Sequence, residues 1–480
     1  MRTWKILLLA LTMLMVATAT AFGQFYPWDG SELLESDPGS VVSQRIDFDP
    51  LGGAWAIWSQ NLPGINFWRN INYSYRAPGS GAWTRAAILR ASIPSGSQPD
   101  VAFEPNGNVL VVWEENGSGT ARVAFRRYDA AKRDWTPVTY LNRAGLYFNV
   151  RIEADGKGRA VAIWMEQFMP PYPVAHLWGS AYDPGTGTWS APTLLQEELK
   201  ASGSLARLES DFSMAPTGEG MVVWSQDVNG ENHVHAMELD SALHTGPVKE
   251  VQSQRGEGGY ARVAMSARGI GLAVWHQGPY RNEDVWAAAF DPNSGGWAVP
   301  VQLAQRSATP EVAAAQEGEF FVTWAGENYC SIPRKRLKID VFAQQFDIVQ
   351  GWNPTIWKVS LCNDPDPVDP NYIEFGYVLA PKIAANDTGK VIVVWDQEDP
   401  SNSIFHPVTS VWSRMYRWTK QMPGRNIPPM RLWTVAREVD DSTVPIHQPD
   451  VDMSDFGEVG AVWGQESAPQ DFDAWANFTR

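Results

Sequence analysis

The sequence predicts an all-β fold, an eight-bladed β-propeller with four antiparallel strands in each blade. The main observation is a motif that occurs eight times, in which a Gly lies six residues before a Trp that ends an apolar run. The eight Trp are Trp58, Trp113, Trp164, Trp224, Trp275, Trp324, Trp395 and Trp463. They are 49 to 71 residues apart, which is room for four short strands, and repeats of this length are typical of propeller blades.

Each repeat begins with a predicted β-hairpin. In the second repeat, residues 100–103 form an alternating first strand, and residues 109–113 form an apolar second strand. Gly107 lies between them, where a tight turn requires positive φ. The second strand lacks alternation, so we expect it to be covered on both faces.

The third and fourth strands are joined by short polar turns. The third strand often ends in an aromatic residue followed by Asp, and the fourth opens with Trp, as in residues 182–189. Asp, Pro and Gly lie in that segment where a tight turn favours them. A repeat with all four strands therefore supplies one blade.

The two ends of the chain are predicted to share one blade. The last repeat stops after its third strand, near 474–478, whereas residues 28–34 match the fourth strand at 189–195. We expect the N-terminal strand to complete the C-terminal blade, a 3+1 closure that removes two sheet edges. Residues 24–480 are thus predicted to form a single propeller.

The repeated aromatic residues are interpreted as structural. A Trp that occurs in every blade is expected to fill the wedge between neighbouring sheets, since large rings bury much apolar area. The recurring Trp-x-Gln is expected to satisfy loop backbone groups through the Gln amide. The alternative for the Trp rings, a series of sugar-stacking platforms, fits a repeated position less well.

The first 23 residues are predicted to be a secretory signal peptide. Arg2 and Lys5 precede the apolar segment 6–16, and Ala19-Thr20-Ala21 matches a cleavage site. Eleven apolar residues are too few to cross a bilayer. We therefore expect a secreted or periplasmic monomer without membrane insertion.

The charge balance excludes some partners. Lys and Arg number 38 against 54 Asp and Glu, a formal net charge of −16. Nucleic acid is not an expected partner, because a phosphate backbone attracts clustered basic residues. The chain also lacks a phosphate loop, a dinucleotide fingerprint, a nucleophile elbow and a zinc-protease motif.

Two features of the repeat, one turn and the shape of the blade, resemble those of known propellers. The Tyr-Asp-Pro-x-Thr-x-x-Trp turn at 182–189 resembles the turn between the third and fourth strands of kelch-type propellers. The blade also resembles that of exported bacterial propellers of the sialidase-like (BNR) class. Val-Trp replaces the kelch double Gly, and Asp183 and Trp189 are one residue further apart than in the sialidase Asp-box. The resemblance covers the mature chain in blade shape and implies no one family.

Loop length predicts a binding site in blades 6 and 7. The connections between strands 2 and 3, and between strands 4 and 1, share one face of a propeller, and they are longest in these blades. Variable loops on a rigid scaffold commonly carry function; tolerated surface insertion is the alternative. The candidate contact residues are Tyr329, Arg334, Arg336, Tyr372, Phe375, Tyr377 and Phe405.

The two cysteines and several metal-ligand residue types fall in or near the same face. We expect Cys330 and Cys362 to form a disulfide, since both lie in this sector and export provides an oxidising compartment. No cofactor is expected. Calcium at Asp364, Asp366 and Asp369 and a metal at the i, i+2 pair His233 and His235 are weaker alternatives to loop pairing and ordinary surface polarity.

The sequence leaves three functions open. The first is a module that binds a glycan or a protein through the loops of blades 6 and 7, and it favours a protein that is not an enzyme. The second is a sialidase-like glycan hydrolase or lyase, which predicts a central pocket with convergent Arg, Tyr and carboxylates of displaced pKa. The third is a structural component of an envelope assembly, which predicts a large exposed apolar patch.

Overall fold

Eight antiparallel sheets follow one another along the chain in a computed structural model of the protein. The structure describes residues 28–35, 38–94, 99–117, 120–142, 145–168, 174–200, 208–252, 256–279, 282–315, 318–329, 337–360, 381–399, 408–418, 431–434, 436–440, 446–468 and 471–479. Within these ranges there is no α-helix, and consequently none that is long and apolar enough to cross a membrane. The predicted all-β, eight-bladed propeller is confirmed.

Blades 1 to 4 occupy the first half of the chain, after the short strand β1 (Glu32–Leu33). Blade 1 contains β2 (Val41–Phe48), β3 (Ala54–Leu62), β4 (Ile65–Arg76) and β5 (Ala87–Pro94). Blade 2 contains β6 (Asp100–Phe103), β7 (Val109–Gly117), β8 (Thr120–Asp129), β9 (Asp134–Trp135) and β10 (Thr139–Tyr140). Blade 3 contains β11 (Tyr147–Ala154), β12 (Ala160–Phe168), β13 (Val174–Asp183), β14 (Thr188–Trp189) and β15 (Thr193–Lys200). Blade 4 contains β16 (Ser210–Met214), β17 (Glu219–Val228), β18 (Glu231–Asp240) and β19 (Lys249–Glu250).

Blades 5 to 8 repeat the same order of strands. Blade 5 contains β20 (Gly258–Met265), β21 (Gly271–Gln277), β22 (Asp284–Asp291), β23 (Gly296–Trp297) and β24 (Val301–Ala304). Blade 6 contains β25 (Ser307–Ala314), β26 (Glu319–Tyr329), β27 (Leu337–Asp347), β28 (Gly351–Trp352) and β29 (Trp357–Lys358). Blade 7 contains β30 (Lys382–Ala385), β31 (Val391–Asp399), β32 (Val408–Trp418), β33 (Arg431–Trp433) and β34 (Arg437–Glu438). Blade 8 contains β35 (Ile446–Met453), β36 (Val459–Ala468) and β37 (Asp471–Thr479).

The first turn of every blade depends on its Gly. All eight Gly that precede the Trp by six residues have φ between 71° and 99°. This left-handed region costs a residue with a Cβ roughly 1–2 kcal/mol. The repeated Gly is therefore explained by backbone geometry.

The strand-2 Trp residues are packed between blades. All eight are at most 2% exposed. Trp164 of blade 3, for example, lies in one apolar cluster with Leu110, Val112 and Phe125 of blade 2. Strand 2 is buried on both faces, as its unbroken apolar run predicts.

The Gln of Trp-x-Gln has a different partner from the one expected. The indole Nε1–H of the Trp two residues earlier donates to its Oε1, at 3.0 Å for Trp224–Gln226 and for Trp395–Gln397. The same bond is made by Trp275 and by Trp463. In these four blades the Gln carbonyl therefore satisfies a buried indole, whereas in blade 1 Gln60 Oε1 accepts from Asn72 and Gln60 Nε2 donates to Glu35.

The ring is held by contacts between successive first strands. β2 of blade 1 contacts β35 of blade 8, and β11 of blade 3 contacts β16 of blade 4. The first strands therefore surround the centre of the ring. β1 pairs with β37, with Glu32 opposite Ala476 and Leu33 opposite Trp475.

Candidate functional site in the central channel

One position of the first strand carries a charged residue in every blade. It lies 13 residues before the strand-2 Trp, and the sign of the charge alternates from blade to blade. We call these eight residues the charge ring. They are Arg45, Asp100, Arg151, Asp211, Arg262, Glu311, Lys382 and Asp450, in blades 1 to 8 respectively.

The charge ring faces the channel because of strand alternation. Successive side chains of a strand point to opposite sides, and residues that follow members of the ring, such as Ile46, Ile152 and Val263, are buried in the blades. The charged side chains are therefore directed away from the apolar core. They stay partly accessible, with 29% of the Arg45 side chain and 16% of the Arg262 side chain exposed.

Neighbouring members of the ring form ion pairs. The nitrogen–oxygen distances are 3.9 Å for Arg45–Asp450, 3.8 Å for Arg151–Asp211, 3.6 Å for Arg262–Glu311 and 2.6 Å for Lys382–Glu311. Each pair joins two adjacent blades, so alternation of sign places opposite charges side by side.

Three aspartates of the ring also bind the backbone of the next blade. Asp100 Oδ2 accepts the Ile152 N–H at 2.9 Å, and Asp211 Oδ2 accepts the Val263 N–H at 3.0 Å. Asp450 Oδ2 likewise accepts the Ile46 N–H at 3.1 Å. Blades 2, 4 and 8 thus hold the first strand of the following blade in register.

Burial and pairing displace the pKa values of the ring. Burial raises the pKa of Asp100, despite the attraction of Arg151 and Arg45. Burial acts in the same direction on Glu311, but Lys382 and Arg262 outweigh it and leave the pKa lowered. Burial is also the main cause that lowers the pKa of Arg151.

The entrance of the channel has a strained backbone. In blades 3, 5, 6 and 8 the residue two positions before the ring has positive φ, and strand pairing shifts register there. These residues are Asn149, Tyr260, Thr309 and Gln448. Such bulges redirect a side chain, and strained non-Gly residues concentrate at functional sites.

Tyr260 places an aromatic ring beside the charge ring. Its ring centroid lies 4.0 Å from the Arg262 Cζ, and its Oη is 3.5 Å from Glu311 Oε1. The His276 ring stacks at 6.1 Å. An apolar face and several polar groups therefore meet at the start of β20, on the face formed by the 4–1 and 2–3 connections.

Below the charge ring, two residues further along the first strand, the lining is acidic or small. Blades 1, 3 and 8 contribute Asp47, Glu153 and Asp452, which we call the acidic layer. The other five blades contribute Ala102, Ser213, Ala264, Ala313 and Ala384. The carboxylates are thus gathered on one side of the channel and face short side chains.

Asp47 and Asp452 form a carboxyl pair across the seam between blades 1 and 8. They share a side-chain hydrogen bond, and Asp452 Oδ2 accepts the Phe48 N–H at 3.0 Å. Burial, followed by Asp452, raises the pKa of Asp47 well above its ordinary value, and burial raises the pKa of Asp452 to about 6. Burial together with Asp100 and Asp211 raises the pKa of Glu153.

This arrangement can hold and move a proton. Two adjacent carboxyl groups resist double ionisation, so one remains a donor while the other is an acceptor. The protonated carboxyl can act as a general acid, and the ionised one beside it can act as a general base.

Most of the residues predicted from the loops of blades 6 and 7 lie outside the described residues. This applies to Arg334, Arg336, Tyr372, Phe375, Tyr377, Phe405, Cys330, Cys362, Asp364, Asp366 and Asp369. Tyr329 is the last residue of β26, and its side chain also lies outside the description. Their roles in binding, the disulfide and calcium binding stay predictions.

His233 and His235 are described, and each has its own partners. His233 Nδ1 is 2.7 Å from Glu250 Oε1. His235 stacks on Trp224 at 6.0 Å, its Nδ1 is 3.1 Å from the His233 carbonyl oxygen, and burial lowers its pKa. No group of three His, Cys, Asp or Glu side chains that could hold a metal occurs in the part of the chain described. The metal pair stays a prediction.

The charge ring and the acidic layer were missed by the sequence interpretation, although a signal was present. Counting back 13 residues from each strand-2 Trp reaches a charged residue all eight times. The Gly and aromatic positions set the blade shape and predict the fold, whereas the charge ring becomes visible only when the first strands of all eight repeats are compared. The proximity of Asp47 and Asp452 depends on closure of the ring and has no local sequence signal.

Known proteins of similar structure share little sequence with this chain. No protein-family model matches the sequence, and no curated protein matches it significantly. Solved structures with similar folds include a protein of unknown function from Dyadobacter fermentans, which is 10% identical, with a TM-score of 0.41 and coverage of 66% of this chain and 98% of that one. Leech intramolecular trans-sialidase is 8% identical, with a TM-score of 0.38 and coverage of 90% and 89% respectively. Penicillium chrysogenum α-L-arabinanase is 10% identical, with a TM-score of 0.38 and coverage of 79% and 92%.

Proposed function

We propose that this protein is an exported β-propeller that binds a glycan at the entrance of its central channel. The observation that supports this most directly is the partly accessible charge ring with Tyr260 beside it. A sugar presents hydroxyl groups along its edge and an apolar face, and this site offers fixed donors and acceptors next to an aromatic ring. Blade 6 and 7 loops on the same face would extend the contact to a longer glycan.

The test is binding of the mature chain, residues 24–480, to a broad glycan array. Tyr260→Ala should abolish selective binding, because it removes the aromatic face at the channel entrance. Tyr140→Ala is the matched control, since Tyr140 is 40% exposed on the outer strand of blade 2. Tyr372→Ala and Tyr377→Ala test the contribution of the loop.

Each result assigns the site differently. Loss of binding in the Tyr260 variant, with binding kept in the Tyr140 variant, supports the channel. Loss only in the Tyr372 and Tyr377 variants moves the site to the blade 6 and 7 loops. A blank array from folded protein contradicts the glycan proposal and makes a protein the expected ligand.

A second candidate function, glycoside cleavage, is favoured by the acidic layer. Most glycoside hydrolases use two carboxyl groups roughly 5–10 Å apart, one as acid and the other as base or nucleophile, so the hydrogen-bonded pair would supply one of these groups and Glu153 the other. Glycans that bind the array should then release new reducing ends, and Asp452→Asn should lower that rate at least 100-fold. Asp455→Asn, a change at an exposed turn, should leave the rate unchanged. Binding without release by wild-type protein would leave a binding module.

A further inference from the structure

The charge ring is electrically neutral. It contains four cations and four anions, and each cation has a carboxylate oxygen at 3.9 Å or closer. Arg262 has two such neighbours, Glu209 Oε2 and Glu311 Oε1, both at 3.6 Å. The cations at the channel entrance are therefore already paired with protein carboxylates.

An acidic sugar would have to compete with these carboxylates. If a ligand carboxylate took the Arg151 guanidinium from Asp211, the Asp211 carboxylate would lose its cation and would also repel the ligand. Breaking a partly buried pair by removing one partner is costly, because it leaves an uncompensated charge. Arg262 and Lys382 present the same obstacle, since both are paired with Glu311.

The next layer of the channel offers no cation to an acidic ligand. All eight residues of that layer are described, and Asp47, Glu153 and Asp452 are the ionisable ones; the others are Ala or Ser. A ligand that passes the charge ring therefore meets carboxyl groups with no cation at their own level. The net charge of −16 over the whole chain acts in the same direction at long range.

A neutral sugar can bind without breaking an ion pair and without charge repulsion. Its hydroxyl groups can donate to the carboxylates and accept from Arg and Lys without separating the ion pairs. The Ala and Ser residues at the next level, opposite the acidic layer, add no charge that a neutral sugar would have to displace.

We propose that the channel selects neutral glycans and discriminates against glycans that end in a carboxylated or sulfated sugar. This inference rests on the proposed glycan site. It assigns the members of the charge ring as specificity-determining residues, because the ring carboxylates are paired with the cations that an acidic ligand would otherwise bind.

The experiment compares two oligosaccharides that differ only in their terminal unit, a hexose and the corresponding hexuronic acid, by calorimetric titration of the mature chain. The hexose-terminated member should bind at least tenfold more tightly. Asp211→Asn and, separately, Glu311→Gln should bring the two affinities closer, because each amide keeps an acceptor oxygen but frees a cation for the ligand. Asp455→Asn makes the same charge change at an exposed position and should leave the preference unaltered.

The outcomes separate the inference from the proposed function. Equal or tighter binding of the acidic member by wild-type protein leaves glycan binding in place and overturns the selectivity. A preference that neither ring variant reduces, with both variants folded by circular dichroism, overturns the role assigned to the ring. Binding of neither member overturns the glycan site and the selectivity with it.

Discussion

Asp452 combines two contacts at the seam of the ring. It accepts a hydrogen bond from the Phe48 backbone and shares another with the Asp47 carboxyl. The first contact favours the ionised carboxylate, whereas the second requires one proton between the two groups. The seam between blades 8 and 1 is therefore held by a bond that depends on protonation.

The pKa of Asp452, raised to about 6, predicts a pH dependence of stability. The folded chain binds this proton more tightly than the unfolded chain, so the free energy of unfolding should fall as pH rises from about 4 to about 6. Asp452→Asn keeps both hydrogen bonds without the titration. It should be more stable than wild type at pH 7 by roughly 1–3 kcal/mol, and the difference should disappear near pH 4.

Urea unfolding at pH 4, 5, 6 and 7 measures this effect. Glu197→Gln is the control, because it removes a carboxylate at an exposed position of β15, and its curves should follow wild type. Identical pH profiles for wild type and the Asp452 variant would contradict a shared proton at the seam.

Among the elements, the turn between strands 1 and 2 is the most uniform. In blade 5, Gly269 has φ of 71°, and its N–H donates to the Ser266 carbonyl at 2.9 Å. A Cβ built on Gly269 would lie 3.8 Å from Glu219 Cβ, an ordinary contact. The requirement for Gly at this position is therefore conformational and not a matter of space.

Two substitutions of Gly269 distinguish a conformational requirement for Gly from a steric one. Gly269→Ala should destabilise the fold by about 1–2 kcal/mol, because Ala disfavours the left-handed region. Gly269→Asn should cost less, since Asn tolerates this region better. Thermal unfolding of both variants gives the comparison, and equal losses for Ala and Asn would indicate a steric cause instead.

The outer strand of the blades was predicted only in part from the sequence. The Trp that opens strand 4 was predicted, and in the structure it lies opposite the aromatic residue that ends strand 3, as in Tyr182 opposite Trp189. The strand then breaks and resumes in blades 2, 3, 5, 6 and 7. In four of these blades a Pro lies in the gap, and Pro has no N–H for the ladder. They are Pro137, Pro192, Pro300 and Pro354.

The blade architecture could be predicted because each blade is a local unit with its own Gly and Trp signals. For the candidate site, the sequence predicted the types of residue but not which residues of the chain come together. Convergent Arg, Tyr and carboxylates were expected of a glycan-processing propeller, but Arg45, Arg151 and Arg262 lie on three different blades. These three residues come close only because eight sheets are arranged around one axis. No short segment of sequence predicts that arrangement.

At the scale of the whole molecule, the N-terminal segment contacts the last blade. Asp29 N–H donates to the Phe478 carbonyl at 2.8 Å, and Leu34 N–H donates to the Ala474 carbonyl at 2.9 Å. The Trp28 indole donates to Ser413 Oγ of blade 7 at 3.0 Å. The two backbone bonds cover the outer edge of β37, and the indole bond ties the segment to blade 7.

Removal of residues 24–35 should therefore destabilise the whole ring. It exposes the backbone of β37, and an open strand edge promotes association. We expect a fall in Tm of several degrees and the appearance of oligomers by light scattering. A shorter deletion that ends at residue 27 is the control and should leave both properties unchanged. An unaltered Tm after the longer deletion would show that β1 does not contribute to closure.

The alternating signs of the charge ring make the number of blades a question of parity. A circle of alternating charges closes only when it has an even number of members. Gain or loss of one blade would set Arg beside Arg or Asp beside Asp, whereas loss of two consecutive blades would preserve the order. In electrostatic terms the unit of this molecule is a pair of blades, so duplication or excision in pairs is the route by which such a ring can change size.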